Sequence, residues 1–294
     1  MDRKWDEPSG GHEDCGFLDS GTLEPSAGGN GLNFGNHPAK LRNHSRAATH
    51  NPPPRLNLIL FRPDEVTGPL LRTDPRAQHI LSVLRRSVGE TFDAGLINGP
   101  RGKGTIAAVG ADELQISYTW PDPPPTPDPI TLLVGLPRPQ TARKILQDAT
   151  TLGVAAIHFV ATQRGEASYA TSTLWTSGEW QRHLHTGAGQ AFCTRIPEVT
   201  HHLSLEEKLA SLPPAAARVA LDNYEAPTAL SQSPFADTAP IVVAFGAERG
   251  WSPAERDLLR AHQFTFAHLG PRVLRLETAV VAAIALLKAR RGTM

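Results

Sequence analysis

From residue 130 to the C-terminus, short apolar runs alternate with segments whose apolar residues recur at helical spacing. The runs predict strands at 130–136, 155–161, 197–200, 218–221, 241–245 and 264–269. The segments between them predict helices at 141–151, 179–192, 205–212, 253–262 and 274–290. Such alternation is typical of an α/β fold in which helices cover both faces of a parallel sheet. Ligands in these folds bind beyond the carboxyl ends of the strands, which indicates the loops at Asp222, Gly246 and Gly270.

The pattern between residues 56 and 120 is different. Apolar runs predict strands at 56–61, 91–97, 104–109 and 114–120. A helix is predicted at 74–84, where Asp74 can act as N-cap before Pro75. The sequence NGPRG at 98–102 is a strong turn signal between two of the strands. Short strands joined by glycine-containing turns predict a small β-barrel.

Two segments divide the chain. Residues 1–55 are rich in Gly, Pro, Asn, Ser and His and show no helical or strand period, so we expect a disordered extension. An alternative is a translation start near Leu56 at a non-ATG codon, because Met1 and Met294 are the only methionines. Six prolines between Trp120 and Pro129 predict a linker at 121–129. The predicted domains are therefore the barrel at 56–120 and the α/β domain at 130–294.

Composition narrows the possible functions. The formal net charge is zero, which argues against strong non-specific nucleic-acid binding but permits a local basic surface. The two cysteines, Cys15 and Cys193, exclude a disulfide framework and a zinc ribbon and fit a reducing cytoplasm. His183 and His185 fall in a predicted helix, and we expect no metal site there. No apolar run reaches the ~18 residues of a membrane span, so we expect no membrane association.

Two motifs follow predicted strands and open predicted helices. The first is FGAERGWSP at 245–253, whose glycines let the backbone approach a ligand closely. Ser252 and Glu255 predict a capping box at the start of the next helix. The second is LGPRVLRLETA at 269–279, in which Arg272, Arg275 and Glu277 lie between an apolar strand and an apolar helix. Burying charged residues between two apolar elements is costly unless they pair with an opposite charge or take part in the function.

Together, the two motifs resemble the SPOUT superfamily of RNA methyltransferases. The similarity is greatest to the family that methylates N3 of a uridine in 16S ribosomal RNA. Supporting segments are LPRP at 136–139, LGV at 152–154, and Gln190 followed by RIPEV at 195–199. The resemblance implies a trefoil-knotted methyltransferase domain behind a small PUA-like barrel. It also implies a cytoplasmic homodimer that acts on the small ribosomal subunit.

The resemblance further implies S-adenosylmethionine as cofactor, held by three loops. The residues expected to bind it are Leu221, Gly246, Glu248, Gly250, Leu269, Gly270, Val273, Leu274 and Leu276. The sequence departs from the family pattern at Arg249, where a glycine is usual, and at Asp148, Thr151, Gly189, Phe192 and Cys193. These departures leave cofactor binding in place and bear on the RNA contacts.

The predicted chemistry needs a partner for the anion that forms when uracil N3 loses its proton. Arg275 is the first candidate and Arg138 the second, and Glu277 is a candidate to orient Arg275. The basic residues expected to contact RNA are Arg85, Arg86, Arg101, Lys103, Arg143 and Lys144.

Other functions stay open at the level of sequence. A related methyltransferase with another RNA target is one alternative. A non-catalytic RNA-binding ribosome-assembly factor that retains the fold is another. A nucleotide-binding enzyme that uses the Gly246 loop is disfavoured, because that loop has no lysine to hold phosphate.

Overall fold

Two separate β-sheets organise the part of the chain that the computed structural model describes, residues 58–214, 216–237 and 239–294. The expected disordered extension at 1–55, with Cys15, lies outside the described residues, as do Leu56 and Asn57 at the start of the first predicted strand. Within the described residues, no helix is long and apolar enough to cross a membrane.

The first sheet occupies the region predicted as a small barrel. Its strands are β1 (Ile59–Phe61), β2 (Leu70–Leu71), β3 (Thr91–Leu96), β4 (Arg101–Val109) and β5 (Glu113–Asp122). They lie in the order β1-β3-β4-β5-β2, with β1 parallel to β3 and the other pairs antiparallel. Phe61, Ile106 and Leu114 are fully buried in the core of this sheet.

The predicted helix at 74–84 forms in two parts, α1 (Pro75–Gln78) and a π-helical turn (His79–Val83). The Asp74 carboxylate accepts a hydrogen bond from the backbone N–H of Arg76 at 2.7 Å, which confirms the predicted N-cap. The sequence pattern missed β2 and the 3-10 helix Pro63–Val66, because elements of two to four residues are too short to show a period.

The second sheet has seven strands, all parallel, which confirms the predicted α/β class. Their order is β10-β12-β9-β11-β6-β7-β8. The strands are β6 (Asp128–Gly135), β7 (Val154–Ala161), β8 (Glu198–Ser204), β9 (Ala217–Leu221), β10 (Thr228–Ala229), β11 (Ile241–Phe245) and β12 (Thr265–His268).

Helices cover both faces of this sheet. They are α2 (Pro139–Thr151), α3 (Thr173–Thr176), α4 (Glu179–Gln190), α5 (Leu205–Ala210), α6 (Pro253–Ala261) and α7 (Leu276–Arg290). Two 3-10 helices, Ala167–Thr171 and Leu230–Gln232, complete the described elements. Strand side chains alternate between two cores: Val243 and Phe245 of β11 enter one, and Ala244 enters the other.

Most element boundaries differ from the sequence prediction by one to four residues, as three examples show. Strand β5 continues to Asp122 and β6 begins at Asp128, so only 123–127 of the predicted linker lies outside a strand. Strand β8 runs to Ser204 although His201 and His202 are polar, because the strand pairs with β7 along its length. The last helix begins at Leu276 rather than at 274.

The first sheet is joined to the second by contacts of residues 189–196, which comprise the end of α4 and the segment after it. The backbone N–H of Asn98 donates to the Thr194 carbonyl at 2.8 Å, and the Thr194 hydroxyl donates to the Gly99 carbonyl at 2.7 Å. The Arg101 guanidinium donates to the Phe192 carbonyl at 3.0 Å. Of the departures from the family pattern, Phe192 and Gly189 therefore lie at this junction, where the Gly189 carbonyl accepts from the Leu58 N–H.

Candidate functional site

A cleft opens beyond the carboxyl ends of β9, β11 and β12, three strands that are neighbours in the second sheet. The ends are in register: Leu221 is paired with Phe245 on one side and with Ala267 on the other. The loops that follow these strands therefore meet at one edge of the sheet, as the strand alternation predicts. The cleft has a volume of about 230 Å³.

The loop after β9 is anchored by a buried ion pair. One Asp222 carboxylate oxygen accepts hydrogen bonds from the N–H groups of Tyr224 and Glu225, at 2.6 and 2.9 Å. The other accepts from the Arg256 guanidinium of α6 at 2.8 Å, and both side chains are almost fully buried. Asp222 thus fixes this loop to α6, because each carboxylate oxygen has its partners in the native structure.

The loop after β11, residues 246–251, is folded tightly against the sheet. A Cβ atom on Gly246 would lie 2.7–2.9 Å from main-chain atoms of Gly250 and Trp251, so a side chain cannot fit there. Trp251 is fully buried, and its indole N–H donates to the Leu221 carbonyl at 3.1 Å. This loop is therefore held to the end of β9 by packing and by a hydrogen bond.

The predicted capping box at α6 is present and has a second role. The Ser252 hydroxyl accepts from the Glu255 N–H at 3.2 Å, and the Glu255 carboxylate accepts from the Ser252 N–H at 2.7 Å. The same carboxylate also accepts from the Gln163 N–H at 2.7 Å. Glu255 is buried, so the helix start and the loop after β7 are fixed together.

The third wall of the cleft is formed by residues 269–276. Gly270 has φ +106°, and a Cβ atom there would meet no atom within 4 Å. Its N–H donates to Nδ1 of His268 at 3.1 Å. Val273 is 82% exposed although it lines the cleft.

Eight of the nine predicted cofactor residues line this cleft, and Gly270 is the one that does not. The structure adds residues that the sequence did not single out for the cofactor: Asn223, Tyr224, Phe245, Ala247, Trp251, His268, Arg272 and Ala279. The signal for the β9 loop was weak, because Asp222 followed a short strand without a glycine motif.

A second cavity of about 380 Å³ adjoins the cleft. The two share Glu248 and Arg249 in their walls. The remaining residues of its wall are Arg138, Arg164, Gly165, Glu166 and Tyr169. Arg164, Tyr169 and this cavity were missed by the sequence reasoning, because the segment after β7 carries no recognisable motif.

The three predicted catalytic residues are separated. Arg138 lies in the wall of the second cavity, and its backbone N–H donates to the Glu248 carboxylate at 3.0 Å. Arg275 is the N-cap of α7 and belongs to the wall of neither cavity. The Glu277 carboxylate accepts a hydrogen bond from Lys144 at 3.2 Å. The backbone N–H of Glu277 lowers the pKa of this carboxyl, and the charges of Lys144 and Arg275 act in the same direction, so Arg275 interacts with Glu277 through charge rather than through a hydrogen bond.

Most of the predicted RNA-binding residues have a carboxylate neighbour. The pairs are Arg86 with Glu90, Arg101 with Asp122, Lys103 with Asp93, Arg143 with Glu179 and Lys144 with Glu277. Arg143 donates two hydrogen bonds to Glu179, at 2.8 and 3.0 Å, and lowers the pKa of that carboxyl to about 2. Arg85 instead has a left-handed backbone with φ +53°. Five of the six predicted RNA-binding residues thus lie beside a carboxylate, which is between four and 133 residues away in the sequence.

Metal ligation has no support in the part of the chain that the structure describes, where no group of three or more His, Cys, Asp or Glu residues could hold an ion. His183 lies on α4, and its imidazole is 3.2 Å from the Glu179 carboxylate. The site therefore offers backbone groups, apolar side chains and arginines for binding.

Comparison with known proteins gives this geometry a family. A family model described as an RNA methyltransferase domain matches residues 124–288. The ribosomal RNA small subunit methyltransferase E of Treponema pallidum is 32% identical over 243 residues, which cover 80% of this chain and 91% of that protein. Ribosomal RNA small subunit methyltransferase E 1 of Borreliella burgdorferi is 24% identical, with 78% of this chain and 95% of that protein covered.

A solved structure has the same fold. The ribosomal RNA small subunit methyltransferase E from Neisseria gonorrhoeae bound to S-adenosyl methionine superposes with a TM-score of 0.64. Its sequence is 23% identical, and the match covers 80% of this chain and 97% of that one. The family model spans more than half of the chain, and the Treponema relative is matched over most of its length. The chain therefore belongs to the RNA methyltransferase family that includes ribosomal RNA small subunit methyltransferase E.

Proposed function

We propose that this protein methylates N3 of a specific uridine in the 16S ribosomal RNA of the small subunit, with S-adenosylmethionine as the methyl donor. The observation that carries the proposal is the cleft at the ends of β9, β11 and β12. Eight of the nine residues that the family resemblance assigns to the cofactor line this cleft. The 32% identity to a small subunit methyltransferase E supports the substrate.

The wall of the cleft suits S-adenosylmethionine. Leu221, Leu269 and Leu274 offer apolar surface for the adenine ring. Gly246 lets the main chain of its loop pack closely against Gly250 and Trp251, which shapes this wall of the cleft. Glu248 adds a carboxylate that can face a positively charged group. When bound, the cofactor supplies an electrophilic methyl group on a sulfonium, which a nucleophile takes by in-line displacement.

The protein must then hold the uracil near the methyl group and stabilise the charge that N3 acquires as it gives up its proton to solvent water. Arg138 is the better placed of the two predicted arginines, because it lies in the wall of the cavity beside the cleft. Its side chain is half exposed and 4.0 Å from the Glu248 carboxylate. We propose that Arg138 stabilises the uracil anion and that Arg275 and Glu277 support the start of α7.

The proposal includes the organisation that the family resemblance implies. We propose a PUA-like barrel for the first sheet, a trefoil knot in the domain of the second sheet, and an RNA contact made by both. We further propose a homodimer, in keeping with Val281 and Leu286 of α7, which are apolar and more than one third exposed.

Methyl transfer to purified small subunits tests this function. The full chain is incubated with isotope-labelled S-adenosylmethionine and with subunits from a strain that lacks the native modification, and the modified nucleosides are identified by mass spectrometry. We expect saturable cofactor binding by calorimetry and label in 3-methyluridine. Label in a different nucleoside would indicate another RNA target. No cofactor binding by folded protein would overturn the proposal in favour of a non-catalytic RNA-binding role.

A further inference from the structure

The second cavity combines three features that a pocket for a nucleotide needs. Its volume, about 380 Å³, lies in the range of small-molecule sites. Its wall contains the guanidinium groups of Arg138, Arg164 and Arg249 against two carboxylates. It also contains the aromatic ring of Tyr169, which is partly buried. Arg164 and Tyr169 lie outside both sequence motifs, so cofactor binding by those motifs does not account for them.

The elements that present these residues are fixed. Tyr169 belongs to the 3-10 helix Ala167–Thr171 and packs against the larger core of the second sheet. The Arg164 guanidinium donates to the Arg249 carbonyl at 3.0 Å, so the loop after β7 is tied to the cofactor loop. The turn at Gly165 is tight, because a Cβ atom there would lie 2.9 Å from the Thr162 hydroxyl.

The position of the second cavity beside the cleft also supports a role in binding the base. Glu248 and Arg249 form part of the wall of both cavities, so the two spaces adjoin at this segment. A base held in the second cavity would lie beside a cofactor held in the first. Enzymes that modify a base take it out of its stack into a pocket of this kind, where aromatic side chains receive its face.

We infer that the second cavity receives the target uracil, with its ring against Tyr169 and with Arg164 and Arg249 contacting the flanking phosphates. This inference rests on the proposed function and names the substrate-binding residues of the same site. Arg249, which stands where the family usually has glycine, is then a phosphate contact to the RNA in this chain.

A matched pair of variants tests the role of the ring. Tyr169→Phe keeps the aromatic face, whereas Tyr169→Leu keeps apolar packing but removes the stacking surface. We expect Tyr169→Leu to raise KM for the small subunit about ten- to hundredfold, in line with the loss of one stacked base, and Tyr169→Phe to stay close to the wild type. S-adenosylmethionine affinity should be unchanged in both, and the lower melting temperature expected for Tyr169→Leu, which loses packing against the core, should leave the protein folded at the assay temperature.

The role of the positive charge of Arg249 is tested by Arg249→Gly and Arg249→Lys, with Arg182→Ala as the control. Arg182 lies on α4, and its side chain is 75% exposed. We expect Arg249→Gly to weaken binding of a small-subunit rRNA fragment and to reduce the slope of log K against log salt by about 0.7 per lost phosphate contact. Arg249→Lys should restore the slope, and Arg182→Ala should leave it unaltered.

The binding experiments use S-adenosylhomocysteine as the bound cofactor product, so that they report on RNA without catalysis. Equal RNA affinity of Tyr169→Leu and Tyr169→Phe would overturn the inference, and so would a parallel loss of cofactor binding in Tyr169→Leu. If the wild type binds RNA through Tyr169 but transfers no methyl group, the proposed function fails while the pocket stands. If it transfers methyl groups without dependence on Tyr169, the pocket fails while the function stands.

Discussion

The loops after β11 and β12 border the same cleft but are held in different ways. In the loop 246–251, Trp251 is fully buried and hydrogen-bonded to Leu221, and Gly246 is in close contact with the main chain. In the loop 269–276, Val273 is 82% exposed and Gly270 has no neighbour where its side chain would be. The first loop is a preformed wall, whereas the second is fixed mainly at its ends. Substitutions in the first loop should therefore weaken ligand binding, because they change the shape of the cleft. Substitutions in the second loop should have little effect.

The largest effect should come from the ion pair that supports the buried side of the cleft. Asp222→Ala leaves the buried Arg256 with only the more distant Glu225 carboxylate, at 3.6 Å, and frees two backbone N–H groups. We therefore expect a loss of about 3–5 kcal/mol in the free energy of unfolding. Urea denaturation measures this. Asp257→Ala is the control, because this exposed carboxylate on the same helix also pairs with an arginine. A similar small effect for both would show that the β9 loop is not anchored by Asp222.

Gly246→Ala should have the next largest effect. The added methyl group would overlap main-chain atoms of the same loop, and overpacking of this kind costs about 1–3 kcal/mol. We expect at least a tenfold loss of S-adenosylmethionine affinity in calorimetry, because the wall of the cleft must shift. Gly68→Ala is the matched control, since nothing lies within 4 Å of its Cβ position. Unchanged affinity in Gly246→Ala would contradict a rigid wall.

The exposed loop should respond least. Gly270→Ala meets no neighbour, and its cost of about 1 kcal/mol comes only from the positive φ. We expect less than a threefold change in S-adenosylmethionine affinity, and no measurable change in stability for Val273→Ala, whose side chain is largely in solvent. A loss as large as that of Gly246→Ala would mean that the exposed loop closes tightly on the cofactor, and the contrast between the two loops would then disappear.

The position of the cleft could be predicted from the strand pattern, because the cleft lies where the strands end. Alternating strands and helices predict a parallel sheet, and parallel strands deliver the loops after β9, β11 and β12 to one edge. The capping box at Ser252 is a local feature and occurs as expected, whereas Gly246 is needed for close packing within its own loop. Predicted strand ends were wrong where hydrogen-bonded strand pairing extends a strand beyond its apolar residues. In β8, for example, two histidines lie in the strand because it pairs with β7.

Pairing over long sequence separations was not predictable in the same way. The sequence suggested that Glu277 orients Arg275, yet Lys144, 133 residues away, donates to Glu277. Arg143 was expected to contact RNA, yet it is held by Glu179. Charge partners of this kind depend on which helices become neighbours, such as α2 with α4 and α7. No local pattern contains that information.

The sequence by itself determined the α/β class, the two glycine motifs and the resemblance to an RNA methyltransferase family, because these depend on local periodicity and on contiguous residues. Only the tertiary structure decided that Arg138, Arg164, Tyr169 and Arg249 surround one cavity, and that Arg275 lies outside it. It likewise decided that Asp222 is paired with Arg256. The physical reason is that a cavity and a buried ion pair are defined by the order of strands in the sheet, which brings distant segments together.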